Sequence, residues 1–100
     1  MVERIPTVVV VGSTYVDMAF RCAKFPSAGQ RVSGSALSYT IAKPGPLEAV
    51  QAALCGCRVH LISKVGGDPF APLAKKTLTD YKVDIDHVYT AEAKNTGVIV

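Results

Sequence analysis

Thr7-Val8-Val9-Val10-Val11-Gly12-Ser13-Thr14-Tyr15-Val16-Asp17 is the stretch that decides the fold. Four consecutive valines with no polar alternation suit a strand covered on both faces, as in the parallel sheet of an α/β protein. In such sheets ligands bind in the crevice outside the carboxyl ends of the strands. Gly12 ends the run, and Asp17 follows that end by a few residues. A fixed carboxylate there could accept hydrogen bonds from a polyhydroxylated ligand. The bland alternative is a turn carboxylate bonded to its own backbone.

Length and composition bound what surrounds this stretch. The chain has 100 residues, 49 % of them hydrophobic and 19 % charged, which predicts a single soluble globular domain rather than a disordered segment. Eleven basic against eight acidic residues give a formal charge of +3. The basic residues are scattered along the chain and only Lys75 and Lys76 adjoin, so no basic stripe for nucleic acid is expected. No run approaches the roughly twenty apolar residues that span a bilayer, and no signal-peptide pattern opens the chain. Together with the odd set Cys22, Cys55 and Cys57, this predicts a reduced, cytoplasmic setting with no membrane partner. Cys55-Gly56-Cys57 is spaced too tightly for the usual zinc pair, so the cysteines read as small buried hydrophobes and no metal site is expected.

Outward from Asp17 the pattern becomes alternating. Met18, Phe20 and Cys22 share one face of an extended segment, Phe25-Pro26-Ser27-Ala28-Gly29 reads as a turn, and Leu37, Tyr39 and Ile41 share one face of a second extended segment. One-sided strands of this kind form a small sheet with one solvated face, which places residues 18–41 in a subsidiary sheet. Residues 1–17 and 42–100 then begin an α/β core. Lys43-Pro44-Gly45-Pro46 is a loop running into a helix, with Leu47, Val50 and Leu54 at helical spacing and Gly56 at its C-terminal cap. A strand over Val59 to Val65, a turn at Gly66-Gly67-Asp68-Pro69 with Asp68 as cap, and a helix from Phe70 with Leu73, Ala74, Thr77, Leu78 and Tyr81 on one face follow. His87 to Tyr89 reads as a short strand, Glu92 to Asn95 as a polar turn, and Thr96-Gly97-Val98-Ile99-Val100 begins an apolar strand and stops inside it. The order is that of an open α/β layer, expected to be the amino-terminal part of something larger.

The chain resembles the PfkB-type, ribokinase-like carbohydrate kinases. The residues that carry the resemblance run in order from Val8-Val9-Val10-Val11-Gly12-Ser13 through Asp17, then Gly45 and Glu48-Ala49-Val50-Gln51-Ala52-Ala53-Leu54. They continue through Val65-Gly66-Gly67-Asp68-Pro69-Phe70, Val83-Asp84 and Asn95-Thr96-Gly97-Val98. No one motif is decisive; the resemblance rests on their order and spacing together. The resemblance implies a doubly wound parallel sheet with a small β-sheet lid and a hydroxylated small-molecule substrate held between them. Asp17 matches the carboxylate that grips the substrate, and Tyr15, Ala42, Lys43 and Gly45 match the other substrate-binding positions. It further implies a homodimer through the lid, and ATP and Mg2+ as the cofactors of the full-length protein.

Departures from the family pattern are concentrated at those same positions. Tyr15 stands where the family places asparagine, Ala42 and Lys43 where it places two glycines, Pro44 for its lysine, and Leu47 for the helix-start asparagine. Only Gly45 of that signature survives. Glycines let backbone amides approach a ligand and asparagine offers donor and acceptor together, so the altered set implies a bulkier, less hydroxylated acceptor or weakened sugar binding. Lys43 could offer a cation to an anionic substrate and Glu48 an acceptor, the alternative being that both are solvated surface. Gly66-Gly67-Asp68 could form an anion nest, though capping is the simpler reading. The family's base is an aspartate in a carboxyl-terminal motif Asp-Thr-x-Gly-Ala-Gly-Asp, which does not occur in these residues, so no catalytic residue is expected among them. The rival functional class is a non-catalytic relative that binds a ligand or partner through the altered cleft. A generic nucleotide-binding module is disfavoured, because no Gly-x-Gly-x-x-Gly or Gly-x-x-x-x-Gly-Lys-Ser/Thr loop follows a strand.

Overall fold

The computed structural model describes residues 4–42 and 44–100. The valine run forms β1 (Thr7–Val11), which pairs in parallel with β4 (Arg58–Gly66) in the register Thr7 to Arg58 through Val11 to Ile62. Between them in the chain come β2 (Tyr15–Cys22), β3 (Gly34–Ala42) and α1 (Gly45–Leu54). After β4 come α2 (Phe70–Asp80), β5 (Val83–Asp84), β6 (Val88–Ala91) and β7 (Gly97–Ile99). β5 and β6 lie end to end along the same edge of β4, β5 against Val59 and His60 and β6 against Ser63 to Gly66, both parallel. The second sheet has the order β3-β2-β7, antiparallel between β2 and β3 and parallel between β2 and β7.

The core fills one face of the parallel sheet. Val10, Val59, Leu61 and Val65 meet Ala49 of α1 and Ala71, Ala74 and Leu78 of α2, with Val83 and Val88 closing the edge. The opposite face is open: Val9 is 56 % and Val11 74 % exposed. This corrects the expectation that β1 is covered on both faces by this chain. Crossovers that step in one direction, β1 to β4 to β5, share a hand and so lay both helices on one side of the sheet.

Small residues set the helix faces and overturn the stripes read from large ones. In α1 the buried residues are Gly45, Pro46 and Ala49, while Leu47 and Leu54 are exposed. The reason is the close approach of α1 to the end of β1: a Cβ on Gly12 would lie 2.9 Å from the Gly45 Cα, and the Gly45 N–H donates to the Ser13 carbonyl at 3.1 Å. In α2 the alanines Ala71 and Ala74 face the sheet with Leu78, and Tyr81 is left exposed. α1 ends in a Schellman motif, with Gly56 at φ 91° and the N–H groups of Gly56 and Cys57 donating to the Ala53 and Ala52 carbonyls. That turn presents Cys55 outward and leaves Cys57 half-buried, and Cys22 is also exposed, so the cysteines are not the buried hydrophobes expected of them.

The subsidiary sheet is a long flap. Its first strand begins at Tyr15, before the alternation that starts at Met18, so Asp17 stands inside the flap rather than in the loop after β1. β7, which falls in the stretch 42–100 assigned to the α/β core, instead adds to the flap through Tyr15 to Gly97, Val16 to Val98 and Asp17 to Ile99. Val16, fully buried, roots the flap in the domain.

Candidate functional site

The carboxyl ends of β1 and β4 open into a crevice of about 540 Å³, lined by Val11, Gly12, Ser13, Thr14, Tyr15, Ile62, Ser63 and Lys64. Its position follows from the parallel pairing, which brings both strand ends to one edge of the sheet. The floor is held by a buried hydroxyl pair, Thr14 Oγ1 and Ser63 Oγ, 2.6 Å apart. Sequence reasoning did not single out Thr14, Ser63 or Lys64. The signal was there as a polar pair, Ser63-Lys64, interrupting the apolar run of β4 close to its carboxyl end.

A second polar constellation stands at the end of β4. The Asp68 carboxylate accepts the Thr96 N–H at 2.6 Å, the Thr96 hydroxyl at 2.8 Å and the Phe70 N–H at 3.2 Å. Thr96 Oγ1 in turn accepts the Gly66 N–H at 2.9 Å. Asp68 therefore caps α2 as its position predicts, and also ties the start of α2 to the segment entering β7. Desolvation raises the Asp68 pKa, but the N–H and hydroxyl of Thr96 and the N–H groups of Ala71 and Phe70 outweigh it and hold the carboxyl below its usual value. Thr96, 4 % exposed, is committed to this clamp and lines none of the cavities described.

The sequence-predicted residues are only partly brought together. Tyr15 reaches the crevice, and its ring lies across Gly97, where a Cβ would collide with it. Gly45 lies buried against Gly12 and Ser13, where its missing side chain lets α1 approach the crevice wall. Ala42 pairs with Tyr15 across the flap. Lys43 lies outside the described residues. Asp17 is half-buried on the same flap face as Tyr15, two residues further on, roughly 7 Å along the strand. It lines none of the three cavities described. Among the described residues its carboxylate accepts no hydrogen bond, so the turn-carboxylate alternative finds no bond to support it.

The register defines what surrounds Asp17. Directly across from it stand Thr40 on β3 and Ile99 on β7, and Ser38 lies across from Ala19 on the same face. The opposite face carries Val16, Met18, Phe20, Leu37, Tyr39 and Ile41, all apolar but for the tyrosine hydroxyl. The flap thus turns hydroxyls and a carboxylate one way and a hydrophobic surface the other.

Known proteins agree with this architecture. Residues 6–100 match the pfkB family of carbohydrate kinases. The chain belongs to that family. Among pfkB relatives, ribokinase from Bacillus subtilis is 30 % identical over 91 % of this chain and 36 % of its own length. Mouse ribokinase is 27 % identical over 95 % of this chain and 29 % of its own length. The chain therefore spans about a third of the curated pfkB relatives it matches. Among solved structures, Arabidopsis thaliana ribokinase complexed with ribose and ATP superposes with a TM-score of 0.84 at 24 % identity, covering 95 % of this chain and 31 % of that one. The nucleoside kinase of Methanocaldococcus jannaschii gives 0.79 at 23 % identity, with 92 % and 31 % covered. The ribokinase-like α/β fold of the amino-terminal part is thereby shown.

Proposed function

We propose that this chain is the acceptor-binding and flap portion of an ATP-dependent pfkB-family kinase that phosphorylates a hydroxyl of a sugar, nucleoside or related small molecule. The observation that carries the reading is a half-buried carboxylate that accepts no hydrogen bond among the described residues, on the polar face of a flap rooted beside the carboxyl-end crevice. Asp17 accepts hydrogen bonds from acceptor hydroxyls and orients them, and Thr40 and Ser38 add donors and acceptors beside it. The Tyr15 ring offers an apolar wall at the crevice mouth. Closure of the flap over the crevice would remove water from the acceptor and carry Asp17 the remaining distance to it.

ATP and Mg2+, with the base that takes the hydroxyl proton, are proposed for the full-length protein on the strength of the family, whose solved members include a ribokinase with ADP and one with ribose and ATP. When bound, the nucleotide supplies the phosphoryl group. The exposed apolar face of the flap, with Phe20, Leu37 and Tyr39 each about half exposed, supports a homodimer formed through it. No helix among the described residues is long and apolar enough to cross a membrane.

The test is ATP consumption by the full-length protein against a panel of sugars, nucleosides and sugar phosphates. Asp17→Ala is expected to lower turnover of the preferred acceptor by about 10- to 150-fold, the loss of one charge-assisted bond in a dry site. Unchanged turnover would remove Asp17 from the acceptor site. Binding of an acceptor without any ATP consumption would favour the non-catalytic relative.

A further inference from the structure

β4 ends at one crevice and begins at another cleft. At its amino end Cys57, Arg58, Val59 and His60 meet Lys82 and Asp84 around a cleft of about 370 Å³, and none of these residues lines the acceptor crevice. Asp84 is committed within the protein. Its Oδ1 accepts the Asp86 N–H at 2.9 Å, and its Oδ2 stands 3.5 Å from His60 Nδ1. The imidazole is thereby oriented, and its other nitrogen is left without a bond among the described residues. Arg58 and Lys82 differ from Asp84: both line the cleft and, among the described residues, neither is in an ion pair. Their backbones are fixed. The Arg58 N–H donates to the Pro6 carbonyl at 2.9 Å and the Lys82 N–H to the Thr79 carbonyl at 2.9 Å. The two cations immediately precede Val59 and Val83, which pair, so they stand at the starts of neighbouring strands about 5 Å apart.

Lys82 fills a position where its side chain is a burden to the backbone. Both helices end alike: the residue after the cap turns left-handed and donates its N–H to a carbonyl three residues back, Gly56 to Ala53 after α1 and Lys82 to Thr79 after α2. Gly56 takes its φ of 91° freely, whereas Lys82 takes 62°, a conformation in which a Cβ crowds the following carbonyl. Glycine would serve the turn better. The lysine is therefore explained by where its ammonium is held, beside Arg58 and His60 in the cleft, and not by the turn itself.

We propose that this cleft is a second ligand site, separate from the acceptor crevice, that binds a phosphate group, free or as a monoester, between the Arg58 guanidinium and the Lys82 ammonium with the His60 imidazole as third donor. A tetrahedral oxyanion has oxygens for all three: a guanidinium forks onto two of them, and an ammonium attracts the group as a point charge. Asp84 does not oppose it, because its carboxylate is already taken by Asp86 and His60. From Arg58 to Ser63, the nearest polar residue of the crevice floor on β4, is five residues, roughly 17 Å. The ligand here is accordingly no acceptor. Arg58 opens β4, and Lys82 joins α2 to β5, a strand of two residues. A bound anion ties these elements together and so stabilises the domain from the end of the sheet away from the flap. This assignment is independent of the kinase reading.

Amide ¹H–¹⁵N spectra of the full-length protein, titrated with inorganic phosphate, ribose 5-phosphate and AMP, read the site directly. The signals of Arg58 to His60 and Lys82 to Asp84 are expected to move together and to saturate with at least one probe. Inorganic phosphate alone would identify a free anion as the ligand, and a stronger response to one ester would identify the group that carries it. Arg58→Gln and Lys82→Gly are each expected to weaken the binding about tenfold or more, the loss of one charge-assisted contact. Lys24→Gln, an equal loss of charge on the flap, and Asp17→Ala are expected to leave it unchanged. Lys82→Gly also parts binding from folding, since glycine relieves the left-handed residue: Tm without ligand should hold or rise while affinity falls. No shift at the amino end of β4 with any probe would overturn the site and leave the cations only to offset the carbonyl ends of α1 and α2. Shifts confined to the crevice around Ser13 and Ser63, or amino-end shifts that survive both variants, would overturn it equally.

Discussion

The clamp at the end of β4 and the polar face of the flap both set an aspartate beside threonine, and use it in opposite ways. At the clamp Asp68, Thr96, Gly66 and Phe70 satisfy one another within 3.2 Å, and nothing is left to offer a ligand. On the flap Asp17, Thr40 and Ser38 share one face without bonding each other. Partnered polar groups fix where the backbone goes, whereas a half-buried carboxylate such as Asp17, bonded to nothing among the described residues, is free to take a ligand's hydrogen bonds. The distinction separates a structural carboxylate from a binding one in a chain whose family motifs treat both as prominent.

Beneath both regions lies the one-sided core, and its loss is the largest effect expected. Leu61 is fully buried between the two helices, and Leu61→Ala should cost ~2–5 kcal/mol in urea denaturation. A cost under about 1 kcal/mol would mean that the helix-covered face of the sheet is not where the stability resides. Next in size is a matched pair of variants. Thr96→Val keeps the shape but strips the hydroxyl from the clamp, leaving the Gly66 N–H unbonded, and should cost about 1–3 kcal/mol. Thr40→Val makes the same change on the exposed flap and should stay within about 0.5 kcal/mol of wild type. Equal costs would erase the contrast between the two regions.

How much of this was legible beforehand follows from where the signals are local. The β1 run, the crevice at its end, the two helices and the flap alternation all depend on short-range patterns of apolar residues, and each was readable from the chain. The membership of β7 in the flap was not, because nothing in Gly97-Val98-Ile99 itself distinguishes a core strand from a flap strand. The pairing depends on Thr96 being tied to Asp68, 28 residues away. Helix faces were misread for a related reason. Leu47 and Leu54 carry the stronger apolar signal, yet Gly45, Pro46 and Ala49 are buried, because closeness to β1 favours small side chains over large ones. Of the candidate site, Tyr15 and Gly45 were found at the crevice or its wall. Ser63 and Lys64 were passed over because a polar pair inside a strand carries no periodic signature, and Thr14 because it lies in the loop between β1 and β2.

Acid sharpens the comparison further. Since Asp68 is held below its usual carboxyl value by the N–H and hydroxyl donors of the clamp, its ionised form binds to the fold better than its protonated form. The folded pKa lies below the unfolded one, so the stabilisation is complete above the unfolded value of about 3.9. It is lost as pH falls through the lower folded value. Unfolding midpoints measured from pH 6 down to pH 2 should drop in wild type below about pH 4 and drop less in Asp68→Asn. The same slope in both proteins would detach the clamp from the acid transition.

The smallest expected effect is the most discriminating. Asp17 is half-buried and bonds no partner among the described residues, so none of them compensates its desolvation. Asp17→Ala should therefore leave stability within about 0.5 kcal/mol of wild type, a shift of no more than about 4 °C in Tm for a chain of this size, with its sign toward greater stability. Retained stability together with impaired acceptor turnover would place the carboxylate on the binding side of the contrast. A loss above about 1 kcal/mol would move Asp17 into the class of Asp68, a side chain that holds the flap in position. The polar face would then be a brace, and the acceptor would have to be sought wholly within the crevice lined by Ser13, Ser63 and Lys64.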